Sequence, residues 1–503
     1  MVRACVLLKR SVDARARPPR WLANYRVEVD GEAEILARGI RGVRAWSGRD
    51  EERHGSDQGR VSLPAGSRLR PIVVGAGPAG LFAALRFAEA GARVVLLERG
   101  GSVEARHPAV RDFWRHRKLD PECNVVYGEG GAGAFSDGKI YTRRRDGDLG
   151  WIFRRLVDFG ADPEILEEGW AHLGTDRVRE ILPRLRARLI ELGAEIRFDT
   201  AIDALVVERG RVRGVETREG AVIEGAPVVV ATGHSARDVY QWLLEAGATA
   251  VLRPMHIGAR IEHPQKVIDV ARYGAERGEL PPASYRFASQ PPHGRARAAH
   301  TFCMCPGGTV VPATNHPGRV VVNGMSYSGR RAPFANSAII VEVQLDDLDG
   351  TDPLAGVRFQ DAIEERAFRL AGADYKAPGQ RVEDFLANRP SADLPRISFP
   401  MGAAPVDLRE ILPAPILAGM AEAIRHFDRR LPGFAGPEAV LLAPETRTTA
   451  PLRFDRDEGY ESPSVRGLMP IGEGAGYAGG IISAALDGLR AAESAIADPR
   501  RFG

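Results

Sequence analysis

A chain of 503 residues, 44% of them hydrophobic, is long enough for two or three domains and a sizeable core. Its 69 basic and 66 acidic residues leave a net charge of +3, and 64 of the basic residues are arginine; spread along the chain instead of clustered, they imply no nucleic-acid partner. Four cysteines make no disulfide framework, the only apolar run in the basic first twenty residues is 5–8, and no run elsewhere approaches a membrane span, so a reducing cytoplasm and no membrane association are expected.

Residues 1–70 read as an appendage, with short strands at 6–9 and 25–29 and a charged, glycine-rich linker at 47–67; no chemistry is visible in it. At Pro71 the apolar run Ile72-Val73-Val74 leads into Gly75-Ala76-Gly77-Pro78-Ala79-Gly80, an Ala- and Leu-rich helix follows over 81–89, Gly91 ends it, and a second strand over 93–97 stops at Glu98. Strand, G-x-G-x-x-G, helix, strand and acid in this order make a βαβ dinucleotide-binding unit. Gly75 permits the tight turn, Gly77 lets the backbone approach a pyrophosphate, and Gly80 lets helix and strand pack closely. Pro78 and Ala79 open the helix whose positive N-terminus receives the diphosphate. Glu98, eighteen residues after Gly80, is placed to accept from the ribose hydroxyls, and Arg99 is counted with it.

Next comes a long connection, Gly128-Glu129-Gly130-Gly131-Ala132-Gly133-Ala134-Phe135-Ser136-Asp137-Gly138-Lys139. Five glycines in eleven positions suit close approach to a flat cofactor, with Gly130, Gly131 and Gly133 supplying bare backbone and Ser136, Asp137 and Lys139 polar contacts. Helical periodicity over 151–193 precedes an alternating segment at 195–226 with turns at 209–210 and 219–220, an antiparallel meander. The run Val228-Val229-Val230-Ala231-Thr232-Gly233 is a buried return strand beneath a cofactor, and His234 follows as a capping or flavin-side residue.

Residues 254–439 read as an inserted domain. Strand-like runs at 255–261, 299–305, 309–313, 319–325 and 338–344 suggest a mainly antiparallel sheet, with helices near 357–370 and 418–430. Arg260, Glu262 and His263 form a charged run expected at a solvated edge. Cys303 and Cys305 stand two apart, a spacing that on a strand puts both on one face about 6.5–7 Å apart, at the limit for a disulfide. They are candidate catalytic thiols, with an unperturbed pKa of about 8.5 within reach of neutral pH; a pocket-lining role stays open, and with Cys5 and Cys123 alone elsewhere no metal site is expected. The chain is then expected to re-enter the nucleotide-binding domain over 439–447.

The C-terminus separates NAD from FAD. Gly467-Leu468-Met469-Pro470-Ile471-Gly472-Glu473 is a strand ending in an acid, a second glycine-rich turn covers 474–480, and a helix runs over 481–497. Gly472 and Glu473 suit the ribityl or pyrophosphate region, and the amides of Gly479, Gly480 and Ile481 suit the pyrimidine edge of a flavin, which becomes negative on reduction.

These three pieces resemble the glutathione-reductase superfamily of flavoproteins. With Gly233-His234-Ser235-Ala236-Arg237-Asp238, Arg260-Ile261-Glu262-His263-Pro264-Gln265, Cys303-Met304-Cys305-Pro306-Gly307-Gly308, Asn323-Gly324-Met325-Ser326 and Glu445-Thr446-Arg447, the chain over 70–497 is similar to a broad family of bacterial proteins known as uncharacterised FAD-dependent dehydrogenases. The segment Lys9-Arg10-Ser11-Val12-Asp13-Ala14-Arg15 resembles the later part of that family's N-terminal domain. The resemblance implies FAD and two-electron chemistry. The expectation is an α/β flavoprotein: a glutathione-reductase-like FAD-binding Rossmann domain at 71–253 plus 440–503, and an inserted mainly antiparallel β-sheet substrate domain at 254–439. It holds FAD non-covalently and moves a hydride between flavin and a small organic substrate. Beyond the glycine turns assigned to the flavin, no further G-x-G-x-x-G marks a separate NAD(P)H domain, so NAD(P)H would dock transiently or the substrate itself would reduce the flavin. A flavin monooxygenase would use the same FAD domain, and a flavin-binding RNA-modifying or scaffold protein is the reading from another class.

Overall fold

The computed structural model describes residues 1–15, 18–46, 60–64, 66–140, 146–166, 172–290 and 296–502. Most of the expected linker at 47–67 lies outside them. The first strands are longer than the sequence suggests: Val2–Asp13 pairs antiparallel with Arg20–Val29. Both are largely open to solvent, so charged residues occupy either face and no alternation marks the strands.

Five short strands form a parallel sheet in the order Leu468–Pro470, Val228–Val230, Ile72–Val74, Val95–Leu97, Glu195–Arg197. Their continuous apolar runs follow from burial on both faces. Ile72, Val74, Val95, Leu97, Val228 and Val230 point into a core shared with Tyr240, Trp242 and the meander. Val73, Leu96 and Val229 point the other way, onto the helices Pro78–Glu89 and Ile481–Ala497. These two helices touch backbone to backbone, since a Cβ on Gly488 would sit 2.0 Å from the carbonyl oxygen of Ala79. The meander is Ile202–Glu208, Arg211–Thr217 and Val222–Glu224; Glu195–Arg197, expected in it, pairs instead with Val95–Leu97.

The second sheet has eight strands, ordered Ala288–Ser289, Ala299–Pro312, Phe334–Val343, Met255–Pro264, Val440–Glu445, Ala377–Arg381 and Ala403–Pro405, with Val322–Met325 added to Ala299–Pro312. Only its last pair is parallel. The helix Ala414–Arg430 lays Ile416, Met420, Ile424 and Phe427 on one face.

Two expectations fail in this sheet. Val440–Glu445 does not rejoin the parallel sheet; it pairs with Met255–Pro264. Arg260, Glu262 and His263 are not at an edge, because Met255–Pro264 has a strand on each side and all three are buried. Met255, Ile257, Ala259 and Ile261 face the apolar core. Arg260 and Glu262 therefore take the opposite face, where covering segments supply hydrogen bonds in place of water. Among the described residues no helix is long and apolar enough to cross a membrane, and no cluster of side chains could hold a metal ion.

Candidate functional site

The glycine-rich segments converge. Gly75 has φ 102°, and a Cβ on Gly80 would sit 1.9 Å from the Gly75 carbonyl oxygen, so strand, turn and helix pack as tightly as backbone allows. Gly131 lies over Gly77, and Gly133 touches Pro78 and Ile481, the first residue of the C-terminal helix. Two buried charges hold these loops. Glu98 accepts from the N–H groups of Ala76 at 2.7 Å, Gly100 at 3.0 Å and Gly128 at 2.9 Å. The Arg106 guanidinium, fully buried, donates to the carbonyls of Asn124, Val125, Gly128, Glu129 and Gly131.

Around this cradle opens a cavity of about 1770 Å³ whose wall comes from both sheets. Gly75, Gly77, Pro78, Ala79, Glu98, Arg99, Gly131, Gly133, Ser136, Asp137 and Lys139 line it, as do Thr232, Gly233, Glu473, Gly479, Gly480, Ile481 and Cys303. Four expected site residues do not. Gly80 is spent on helix packing, Gly130 packs against Leu182 and donates to the Ala76 carbonyl, and Gly472 abuts Ala79 and donates to Asp487. Cys305 is fully buried behind the wall. The Gly479 N–H, expected to meet the flavin, donates to Ser483 Oγ at 3.1 Å.

The two cysteines do not share a face. The strand is bulged between Phe302 and Cys305, and Cys303 takes φ 43°, which turns its thiol to the cavity while Cys305 points inward and donates to the Cys303 carbonyl. Arg260 Nη2 holds that same carbonyl at 2.6 Å, while its Nη1 meets Glu445 at 2.9 Å and Asn323 at 3.0 Å. Desolvation raises the Cys303 thiol to about 11 and Cys305 to about 12, so both stay protonated near neutral pH, and of the two only Cys303 is open to the cavity.

Sequence reasoning missed His172 and Arg330. A short antiparallel bridge sets Lys139 beside His172, whose Nε2 lies 3.2 Å from Asp137 and 3.2 Å from Ser326 Oγ. Burial works against ionising Asp137, but the Lys139 ammonium at 3.4 Å and the His172 contact win and hold its carboxyl far below the usual range. Lys139 also donates to the Met304 carbonyl, next to Cys303. Nothing in the sequence ties His172 to Asp137 across 35 positions. Arg99, expected at the cofactor, is held between Glu122 and Asp238 over the Tyr127 ring.

Across the cavity, His234 Nδ1 lies 3.6 Å from Glu473, and its Nε2 meets the Arg447 carbonyl at 2.8 Å. Burial lowers His234 to about 4 and raises Glu473 to about 7. Behind them Glu364, fully buried, accepts from Arg237, Arg447 and Thr446.

The cradle suits FAD in three respects: a helix N-terminus with no side chain over it, a carboxylate at the end of the second strand, and backbone too close-packed at Gly75 and Gly80 to admit a Cβ. A model described as FAD binding domain matches residues 70–110, and one described as FAD-dependent protein, C-terminal domain-like, matches residues 254–448. A thiamine thiazole synthase of Aeropyrum pernix is 31% identical over 191 residues, covering 35% of this chain and 58% of its own. The solved structure of a geranylgeranyl bacteriochlorophyll reductase-like protein from Thermoplasma acidophilum overlaps 86% of this chain and 80% of its own at 13% identity and a TM-score of 0.38. An uncharacterised protein of Clostridium beijerinckii is 42% identical over 433 residues, 85% of this chain and 81% of its own. The chain belongs with that bacterial relative to a family of FAD-dependent flavoproteins, and FAD is its cofactor.

Proposed function

We propose that the protein is an FAD-dependent oxidoreductase that exchanges a hydride with a small organic substrate seated against the large sheet, with NAD(P)H as a transient donor. The observation that supports this is the cavity: at about 1770 Å³ it exceeds an ordinary single-ligand site, and much of its wall belongs to segments outside the nucleotide-binding elements. FAD supplies two-electron chemistry when bound. The chain supplies position and protons. Glu473, with a carboxyl at about 7, can hold or release a proton near neutral pH, which suits general acid–base work better than either cysteine. Lys139, fixed between Asp137 and the Met304 carbonyl, keeps a positive charge on the wall where negative charge can be accommodated. The parallel sheet followed by a meander supports kinship with the glutathione-reductase superfamily.

The test is anaerobic mixing of the purified flavoprotein with NADH or NADPH, followed by oxygen. Bleaching of the flavin absorbance with one of them, and simple recovery on oxygenation, is the expected result. A long-lived absorbing species after oxygenation would move the assignment to a monooxygenase and overturn the reading.

A further inference from the structure

Asp137 and His172 both line the cavity and hold each other. Asp137 is 4% exposed; its Oδ1 accepts from the Ser326 hydroxyl and lies 3.2 Å from His172 Nε2. The Lys139 ammonium, 3.4 Å from Oδ2, and the Arg330 guanidinium, 3.8 Å from it, help keep the carboxyl ionised. An ionised carboxylate only accepts, so the His172 nitrogen that faces it carries the hydrogen. Ser326 fits the same assignment, because its own hydrogen is spent on Asp137 and its lone pairs are left to receive Nε2–H at 3.2 Å. In a neutral imidazole the other nitrogen is then bare. His172 Nδ1 meets no donor or acceptor among the described residues. Burial lowers the ring below its ordinary range against the pull of Asp137, and Arg330 and Lys139 add to the lowering, so the imidazole is neutral near neutral pH.

The pair stands on the side of the cavity that the large sheet supplies. Ser326 directly follows Val322–Met325, and Lys139, bridged to His172, donates to the Met304 carbonyl beside Cys303. Glu473 belongs to the other side, just past Leu468–Pro470 of the parallel sheet, and the histidine next to it, His234, has its Nε2 at the Arg447 carbonyl. We propose that His172, with Asp137 as its positioning residue, accepts through Nδ1 the proton of a substrate O–H or N–H next to the carbon that gives up hydride. The substrate class of the oxidoreductase proposed above, on which this inference rests, is then an alcohol or a neutral amine. The C–H bond breaks with its electron pair passing to FAD, the O–H or N–H bond breaks with its proton passing to Nδ1, and a C=O or C=N bond forms. The substrate is oxidised by two electrons and FAD is reduced by two. The imidazolium left behind lies against the Asp137 carboxylate, which offsets its charge.

The experiment is titration of the FAD-loaded protein with 4-nitrophenol in weakly acidic buffer, where the free phenol is mostly un-ionised, the flavin content being measured first. A phenol offers an O–H to the base and no hydride, so only the proton moves and the phenolate absorbance reports it; 4-nitroanisole, which lacks the O–H, is the blank. A phenolate band is expected with wild-type protein, and His172→Gln should weaken it at least about tenfold with FAD content unchanged. Asp137→Asn, which removes the charge that fixes Nε2–H and offsets the imidazolium, should weaken it as well. Should the variants fail to fold, wild-type protein treated with diethyl pyrocarbonate, which acylates a bare imidazole nitrogen, is expected to be modified at His172, and 4-nitrophenol should block that modification. No phenolate band with wild-type protein that holds FAD, an equal band in either variant, or a His172 that resists the reagent would overturn the inference. Absence of FAD from wild-type protein, or a long-lived species in the oxygenation test above, would instead remove the oxidoreductase reading beneath it.

Discussion

Buried charge serves two purposes in this molecule. Around the parallel sheet it grips backbone: Glu98 takes three N–H groups and Arg106 gives to five carbonyls, all in loops. Around the large sheet it mainly grips other side chains, as in Arg260 with Glu445 and Glu364 with Arg237 and Arg447, and Arg260 reaches backbone only at the bulge, where it holds the Cys303 carbonyl. The difference follows from where backbone hydrogen bonds go. Loops that must lie close to a cofactor have no ladder to satisfy them, so an ion does it, whereas a sheet saturates its own backbone and leaves an ion to find an ion.

That contrast can be broken by mutation. Glu364→Ala strands two buried guanidiniums and should cost about 3–5 kcal/mol in urea unfolding. A smaller effect is expected at Glu262, where burial raises the carboxyl to about 7 against the Ser398 hydrogen bonds. Folded protein then keeps a proton that unfolded chain has released, so this group's contribution is full below pH about 4.5 and is lost as pH rises to about 7, to the extent of about 3 kcal/mol. Glu262→Gln should flatten that part of the stability profile, and an unchanged difference between variant and wild type across the window would refute the assignment. Arg106→Met, which leaves loop carbonyls unpaired, should cost about 1–3 kcal/mol and loosen FAD as well as the fold. Least of all, Cys303→Ser should leave melting temperature and flavin content nearly unchanged, and Cys303 should react slowly with iodoacetamide at pH 7.5 because its thiol stays protonated.

How far the sequence could be read follows the same division. The nucleotide-binding unit was legible because its physics is local: Gly75, Gly80 and Glu98 meet within one strand–helix–strand. Arg260 and Glu262 misled because a charged run looks alike at an edge and in a strand flanked on both sides, and only pairing with Val440–Glu445 and Phe334–Val343 distinguishes them. The faces of Cys303 and Cys305 were lost to a bulge, which shifts the strand's alternation of faces without a residue signature of its own. His172 and the hairpin residues Arg10 and Trp21 reach the cavity through tertiary packing that no spacing encodes.

The central claim is that FAD lies in the cradle closed by Glu98. The measurement that tests it most directly is the flavin released by heat from purified wild-type protein and from Glu98→Ala after equal dialysis. The account predicts one FAD per wild-type chain and a large loss in the variant, since the carboxylate positions the three loop amides that shape the cradle. Full retention of FAD by folded Glu98→Ala, or wild-type protein that carries no flavin, would contradict it.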